Sequence, residues 1–314
     1  MLFLLAAIVT FCSIEKIYGQ AMKKKYLFLA IVPAIIGLSG YAAKLSFSSR
    51  GPVAIAQTEA SNTEASNSEA SNSERTANTA ALADVLSTHV DEQGLVSYAE
   101  LQANREQLDA YNASIQLIDQ ATYDSWREEE QIALLINAYN SLTLKSIIDE
   151  SPIKDSIKDI TGVWRFKRHG LLQGQQTLNN IEHDILREDF NEPRIHAALV
   201  CAAISCPYLR QEPFTGEDLD AQLDDQVRIF ISRPEAFEID RANNEVKLSA
   251  IFDWFGGDWV ASYGTDDGFA GNEGERAVLN FISGYLNEAD SDFLQAGGYD
   301  ISYSDYDWSL NRQP

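Results

Sequence analysis

The residues best suited to chemistry lie in one short stretch, HAALVCAAISCPYL, at residues 196–209. His196, Cys201 and Cys206 stand there at equal five-residue steps, and Pro207 follows the second cysteine directly. Cysteine and histidine together can form a disulfide, a metal site, or a nucleophile with its base. Which chemistry applies depends on the local fold and on the compartment that holds the protein.

A disulfide between Cys201 and Cys206 requires a turn. In an α-helix these residues would lie about 140° apart around the axis and too distant to bond, and in a strand they would face opposite ways. Pro207 favours a turn because it disfavours the helical conformation for Cys206. Nearby cysteines in an exported protein most often form a disulfide, so this reading ranks first. Zinc ranks last, because His-x₄-Cys-x₄-Cys offers three ligands at unusual spacing.

The reading that ranks between them makes Cys201 a nucleophile. A thiol attacks as its thiolate, so it needs a base nearby, and a third polar group must orient that base. Cys201 follows an apolar run and opens onto small residues. His183 beside Glu182, or else His196, could act as the base, and Asn137 or Glu182 could orient it. These five residues are the candidate catalytic set, and we expect no cofactor and no metal.

A long helix must position these groups. Residues 128–150 carry apolar side chains on nearly every side, which predicts a buried central helix. Asn137, Asn140 and Ser141 form a polar stripe on it, because they are three or four residues apart. Buried amides need partners, so the stripe either ties down the backbone of a neighbouring loop, which we favour, or lines a site.

Shorter elements surround this helix. Turn residues and apolar periodicity indicate two hairpins. No alternating strand–helix rhythm occurs, so the fold class is α+β: one globular domain, mainly helical, over residues 79–314. The predicted helices span 79–90, 98–117, 177–189, 215–232 and 273–285, the hairpins lie at 163–177 and 237–248, and an aromatic strand spans 299–308.

The N-terminal part differs in composition from the rest. Met22 and three lysines precede an apolar run over residues 26–43, the pattern of a secretory signal, so Met22 is the expected true start. An uncleaved membrane anchor over residues 26–43 is the alternative. We assign 1–56 to this signal or anchor region. Residues 58–74 repeat Thr/Ser-Glu-Ala-Ser-Asn, which predicts a disordered acidic linker over residues 57–78. The protein is therefore expected to be exported, to the periplasm or the extracellular space.

Charge narrows the range of partners. The chain has a net charge of −23, and residues 1–56 hold six of its 24 Lys/Arg but one of its 47 Asp/Glu. The remaining body would be repelled by phosphate backbones and by anionic lipids. We expect no nucleic-acid partner and an unidentified small molecule or peptide as ligand. Contact with a membrane is expected only through the N-terminal segment, if that segment is uncleaved.

Four segments resemble the bacterial branch of the "domain of unknown function 547" family. They are LLINAYNSLTL (134–144), TLNNIEHDILR (177–187), RIHAALVCAAISCPYLR (194–210) and YDWSLN (306–311). The resemblance spans roughly residues 80–312 and implies no settled activity. It implies that the Asn, Glu-His and Cys residues above belong to signature motifs. Val200 departs from the pattern, where the family has Asn, and Leu134-Leu135 stand where it has aromatic residues.

Three functions remain open from the sequence, which leaves undecided whether the protein is an enzyme. The first is a thiol-dependent hydrolase or acyl transferase with Cys201 as nucleophile, which requires the candidate residues to converge around a reduced Cys201. The second is a non-catalytic cell-envelope binding module with a Cys201–Cys206 disulfide. The third is a metal enzyme using His183, His196 and a carboxylate.

Overall fold

The computed structural model describes residues 77–314 of the chain. The expectations for the signal or anchor region, and for most of the linker, lie outside the described residues. Within the described part, short helices surround one long central helix, and two small sheets lie at its periphery. This mainly helical α+β domain confirms the predicted fold class.

The elements follow one another with short connections. The α-helices are α1 (Thr79–His89), α2 (Tyr98–Ala103), α3 (Glu106–Leu117), α4 (Gln120–Asp124), α5 (Glu128–Ile148), α6 (Arg187–Asp189), α7 (Leu219–Ile231), α8 (Ala250–Phe255), α9 (Val260–Tyr263), α10 (Glu273–Ser283) and α11 (Glu288–Ala296). The strands are β1 (His169–Leu171), β2 (Gly174–Gln176), β3 (Phe237–Asp240), β4 (Glu245–Leu248) and β5 (Asp300–Tyr303). A π-helix spans Asn180–Leu186, and 3₁₀ turns span Ile157–Asp159, Pro193–Ala197 and Gly256–Trp259.

Helix α5 is the predicted central helix. Three glutamates occupy its first turn, where their negative charges interact favourably with the positive end of the helix dipole. The Glu130 side chain accepts a hydrogen bond from the backbone N–H of Arg127 at 3.0 Å, which fixes the start of the helix. Its apolar side chains are buried throughout, so the helix lies inside the larger of two hydrophobic cores.

The second core packs the three-stranded sheet against α7, α10 and the buried Trp259. In this sheet β4 pairs antiparallel with β3 and parallel with β5. The smaller sheet is the hairpin of β1 and β2. Tyr306 packs against both cores, so the two meet near the end of the described chain.

The structure shifts several predicted boundaries. The helix predicted over 98–117 breaks at Asn104, whose side-chain amide donates to the Glu100 carbonyl and so competes with the backbone. Helix α7 begins at Leu219 because Thr215 and Asp218 bond to each other in a separate turn. The first hairpin is shorter than predicted, since residues before His169 form turns.

The aromatic strand predicted over 299–308 is also shorter, because pairing with β4 stops at Tyr303. Residues 304–313, which we name the closing segment, leave the sheet and cross to the larger hydrophobic core, the one that surrounds α5. Backbone hydrogen bonds join this segment to Val96, Ala202 and Ile204. It therefore connects the start of the domain with the cysteine stretch. Among residues 77–314, no helix has the length and apolar character needed to cross a membrane.

Candidate functional site

A cleft of about 270 Å³ gathers most of the residues expected to do chemistry. Glu182, His183, His196 and Cys201 all line it, although they come from separate stretches of the chain. Asn137, the fifth candidate, does not line the cleft. The other residues that line the cleft are Tyr139, Trp164, Arg165, Asn179, Leu199, Cys206, Ile251, Trp254, Phe255, Tyr306 and Trp308.

Helix α5 holds the cysteine stretch in place through one amide. The side chain of Asn140 donates to the Ala198 carbonyl at 3.0 Å and accepts from the Val200 N–H at 2.9 Å. Both groups are buried, so these bonds replace the water that the backbone would otherwise need. Asn140 thus fixes the backbone directly before Cys201.

The two cysteines face each other across a tight turn. Ala202 adopts a left-handed backbone conformation, with φ of 61°, which reverses the chain immediately after Cys201. A disulfide joins Cys201 and Cys206, whose Cα atoms are 6.3 Å apart, as the turn between them predicts. The Tyr306 hydroxyl lies 3.4 Å from Cys201 Sγ and 3.2 Å from Cys206 Sγ.

The Glu-His pair lies on the π-helix. Thr177 and Asn180 cap its start reciprocally: each backbone N–H donates to the side-chain oxygen of the other residue. The wider π-helical turn places Glu182 and His183 together at the cleft, and π-helical turns are frequent at functional sites. His183, a candidate base in the sequence, lines the cleft.

Glu182 is a partly buried carboxyl group at the cleft, and no salt bridge to it is found among the described residues. Burial raises its pKa, and the nearby His183 imidazole and a hydrogen bond with Tyr139 oppose that rise only in part. Tyr139 in turn interacts with the indole of Trp164. A carboxyl group with a raised pKa inside a cleft is a candidate acid or base.

A hydrogen-bonded network joins the two histidines. His196 Nε2 lies 2.8 Å from Asp258 Oδ2, and Arg187 binds both oxygens of Asp258 at 2.6 and 2.8 Å. Arg187 also donates to His183 Nδ1 at 2.8 Å. Burial raises the pKa of Asp258, but the hydrogen bonds from Arg187 and His196 outweigh it and hold that pKa below its usual range.

This network assigns the imidazole protons. A guanidinium group only donates, so His183 Nδ1 accepts and the proton of the neutral ring lies on Nε2. Asp258 is ionised and only accepts, so His196 carries its proton on Nε2 and leaves Nδ1 as the basic nitrogen. Burial lowers the pKa of His196, although Asp258 opposes this, so the ring is neutral at pH 7. The base with an orienting carboxylate is therefore His196, and His183 is a donor.

Asn137 has a different role from the one proposed for it. Its amide donates to the Phe214 carbonyl at 2.8 Å and accepts from the Phe214 N–H at 2.9 Å. Both ends of the amide are therefore occupied by a loop backbone, as the structural alternative for the polar stripe predicts. Ser141 binds Asn112 Oδ1 and does not line the cleft either.

Aromatic rings form one wall of the cleft. Trp254 stacks on Trp308 at 5.9 Å between ring centroids, and Trp308 also contacts Tyr306 and Trp164. Trp254 is 47% exposed, an unusual degree for so large an apolar side chain. Phe255 stacks on His196 at 4.3 Å. Such rings offer flat, apolar contact area to a ligand.

Within residues 77–314, no three side chains of His, Cys, Asp or Glu are grouped as metal ligands. His183 and His196 are instead held by Arg187 and Asp258. Among the described residues there is thus no ligand cluster that supports the third function, a metal enzyme.

The sequence did not reveal several residues of the site. Asp258 lies 62 residues from the histidine it binds, and one acidic residue among many gives no periodic signal. Tyr139 sits on the predicted central helix two residues after Asn137, and the predicted polar stripe did not include it. Tyr306 and Trp308 fall in the resembling segment YDWSLN, which was the one available signal for them.

Residues 123–231 match the model of a family described as "Protein of unknown function, DUF547". No curated protein and no solved structure matches the chain. The matched part includes α5, the π-helix and the cysteine stretch. Asp258 and the aromatic wall formed by Trp254, Tyr306 and Trp308 lie outside it.

Proposed function

Because this chain belongs to the DUF547 family through residues 123–231, and that family has no known function, we propose a function from the cleft itself. We propose a thiol-dependent hydrolase or acyl transferase in which reduced Cys201 is the nucleophile. The observation that carries the proposal is that Cys201, His196 and His183 open into one cleft, with Asp258 orienting His196.

The proton transfers follow from the tautomers. Once two equivalents of an external thiol, or one of a phosphine, have reduced the Cys201–Cys206 disulfide, the Cys201 thiol gives its proton to His196 Nδ1, and the thiolate attacks the carbonyl carbon of an acyl group. The carbonyl π electrons move to oxygen, and that oxyanion can accept a hydrogen bond from His183 Nε2–H. Collapse of the intermediate expels the leaving group, which takes the proton from His196. Water or another acceptor then releases the acyl group from Cys201.

Asp258 stabilises the imidazolium that forms on His196 during each transfer, as a carboxylate does in other nucleophile–base–carboxylate triads. Glu182 supplies a second proton-active group in the same cleft. Burial raises its pKa, and in its protonated form it would donate a hydrogen bond to a polar part of the substrate.

The cleft also suggests what the substrate carries. Trp254 and Trp308 form an apolar platform beside the cysteines, which suits an apolar or ring-shaped acyl group. The net charge of −23 disfavours polyanionic substrates. A small molecule or short peptide fits a volume near the lower end of the usual range for ligand pockets, about 300 to 1,000 Å³.

We also propose that the protein lies outside the cytoplasm, where a small thiol would have to open the Cys201–Cys206 disulfide before acyl transfer. The lysines before residues 26–43 support export, and disulfides such as Cys201–Cys206 persist in oxidising compartments. The N-terminal segment would then be the contact with a membrane if it is not removed.

The first test measures thiolate character. The full chain is reduced with a phosphine, desalted, and treated with iodoacetamide at pH 5 to 9, and the peptides are mapped so that Cys12 is scored apart. We expect alkylation of Cys201 at pH 6, since a thiol paired with a base has a lowered pKa. We also expect p-nitrophenyl acetate to leave an acetyl group on Cys201.

Two variants control this test. Cys206→Ser removes the disulfide and keeps the nucleophile, so it should react without prior reduction. Cys201→Ser should lose both the pH 6 alkylation and the acetyl adduct. Alkylation of Cys201 only above pH 8, with no acetyl adduct, would contradict the proposal.

A second candidate function is favoured by the disulfide itself. With both sulfurs bonded, the cleft is an aromatic-walled binding site without a free nucleophile. In this non-catalytic binding module, reduction would lower stability and add no reactivity. Thermal unfolding of the oxidised and reduced chains, measured beside the alkylation profile, separates the two candidates.

A further inference from the structure

We propose that the Cys201–Cys206 disulfide undergoes thiol–disulfide exchange with small thiols that enter the cleft. Cys201 Sγ is the sulfur attacked, and Cys206 is the leaving group. This activity goes beyond acyl transfer and does not depend on it, because the exchange needs only the disulfide and the groups around it.

Exposure decides which sulfur is attacked. Cys201 is partly exposed, whereas Cys206 is only 2% exposed and belongs to the first core. Both residues contribute to the cleft wall, and Cys201 is the more exposed of the two. An entering thiolate therefore meets Cys201 first, and access is one of the factors that set the rate of exchange.

The surroundings of Cys206 suit a departing thiolate. The backbone N–H of Cys201 donates to Cys206 Sγ at 3.1 Å, and the Tyr306 hydroxyl lies 3.2 Å from the same sulfur. Burial raises the pKa of Tyr306, so its hydroxyl keeps the proton that it donates. Hydrogen bonds to the charged form lower the pKa of a thiol, and a thiol with a lower pKa leaves faster.

A buried cation adds to this effect. Arg233 donates to the carbonyl oxygens of Cys206 at 2.6 Å and Ile204 at 3.1 Å, and its side chain is 7% exposed. These bonds hold the turn between the cysteines and place the guanidinium near Cys206, although the Glu235 carboxylate, 2.8 Å from Arg233 Nε, balances part of its positive charge. Positive groups beside a cysteine favour its thiolate.

The exchange balances in two steps. A small thiolate attacks Cys201 Sγ, a sulfur–sulfur bond forms to Cys201, and the Cys201–Cys206 bond breaks with its electron pair on Cys206. A second thiolate then attacks the small-molecule sulfur of this mixed disulfide. A small-molecule disulfide forms, the bond to Cys201 breaks, and Cys201 leaves as a thiolate. Two thiols are oxidised and one protein disulfide is reduced.

The experiment uses the full chain purified without reductant, with 2-mercaptoethanol as the probe thiol. Short incubations are stopped with acid, free thiols are blocked with N-ethylmaleimide at low pH, and peptides are mapped by mass. We expect 2-mercaptoethanol on Cys201 and maleimide on Cys206 in the same molecules. The adduct on Cys206, or no adduct until the chain is denatured, would overturn the proposal.

A rate comparison tests the leaving group. Tyr306→Phe removes one donor to Cys206 and should slow the exchange by about three- to tenfold. Tyr263→Phe, a hydroxyl outside the cleft, should leave the rate unchanged. Circular dichroism in the near ultraviolet checks that both variants fold. Equal rates for folded Tyr306→Phe and the natural chain would contradict the role assigned to Cys206.

The experiments can disprove the acyl-transfer proposal and the exchange proposal independently. A chain that forms the mixed disulfide on Cys201 but shows no reactivity at pH 6 after reduction would retain exchange and lose the proposed hydrolysis. A chain that resists 2-mercaptoethanol but gains a reactive Cys201 with a phosphine would show the reverse.

Discussion

At the scale of single residues, the proton on His196 decides what the cleft can do. Asp258 fixes that proton on Nε2, and Arg187 fixes the proton of His183 on its own Nε2. The two rings therefore have opposite roles: His196 offers Nδ1 as a proton acceptor, and His183 offers Nε2–H as a hydrogen-bond donor. Neither role follows from the adjacency of Glu182 and His183 in the sequence, because the partners that select the tautomers come from other elements.

Asp258→Asn tests this assignment. An amide can donate to His196 Nε2 and so favours the wrong tautomer, and we expect acetylation of reduced Cys201 by p-nitrophenyl acetate to slow by about 10²- to 10⁴-fold. Asp253→Asn makes the same charge change on an exposed residue of α8 and is the matched control. Stopped-flow release of p-nitrophenol measures both. Equal rates in the two folded variants would remove His196 from the mechanism.

At the scale of elements, α5 serves as a scaffold with two amide clamps. Asn140 holds the backbone directly before Cys201. Asn137, which lies three residues earlier on the helix, holds the backbone of Phe214. Both side chains make the same pair of hydrogen bonds to buried backbone groups. The clamps differ only in what they hold: one the cysteine stretch, the other a loop before α7.

This pair allows a matched experiment. Asn140→Ala and Asn137→Ala each leave a buried N–H and a buried carbonyl without partners, so each should lower the free energy of unfolding by about 2 to 4 kcal/mol. Urea denaturation measures this loss. Only Asn140→Ala should change the rate at which reduced Cys201 reacts with iodoacetamide. An equal change in Asn137→Ala would show that the cleft does not depend on the Asn140 clamp.

The same scale shows how far sequence patterns reach. Apolar periodicity predicts α1, α5 and α10 within two residues or so, because these helices bury a continuous face or are buried on all sides. It fails at Asn104, where one side chain competes locally with the helix, and at Tyr303, where strand pairing ends. Residue types and motifs point to Cys201, His183 and His196 as cleft residues. They do not point to Asp258, because a contact between residues 62 positions apart leaves no local pattern in the sequence.

At the scale of the whole molecule, burial of ionisable groups ties stability to pH. His169 is 6% exposed on β1, and its Nε2 atom has no hydrogen-bond partner in the described part of the chain. Burial, together with Lys167 and Lys145, lowers its pKa to about 4, against about 6.5 in an unfolded chain. Between these values the unfolded chain binds a proton that the folded domain does not.

His169→Gln should therefore change the pH dependence of unfolding. In the natural chain, His169 contributes a loss of stability as pH falls from 6.5 towards 4. The variant lacks this contribution, so its slope should be shallower by up to about 1.4 kcal/mol per pH unit. Urea titrations from pH 8 to pH 5 measure it. The difference between the two proteins should be constant above pH 7, and constancy over the whole range would contradict the assignment.

The closing segment has a consequence for how the protein is made. Tyr306 and Trp308 line the cleft, and the backbone of residues 309–313 is bonded to the cysteine stretch and to the beginning of the domain. A ribosome delivers this segment after everything it contacts. A growing chain can therefore carry both cysteines, both histidines and Asp258 without possessing the cleft. The finished wall, and any reactivity that depends on it, arises only when synthesis has passed residue 313.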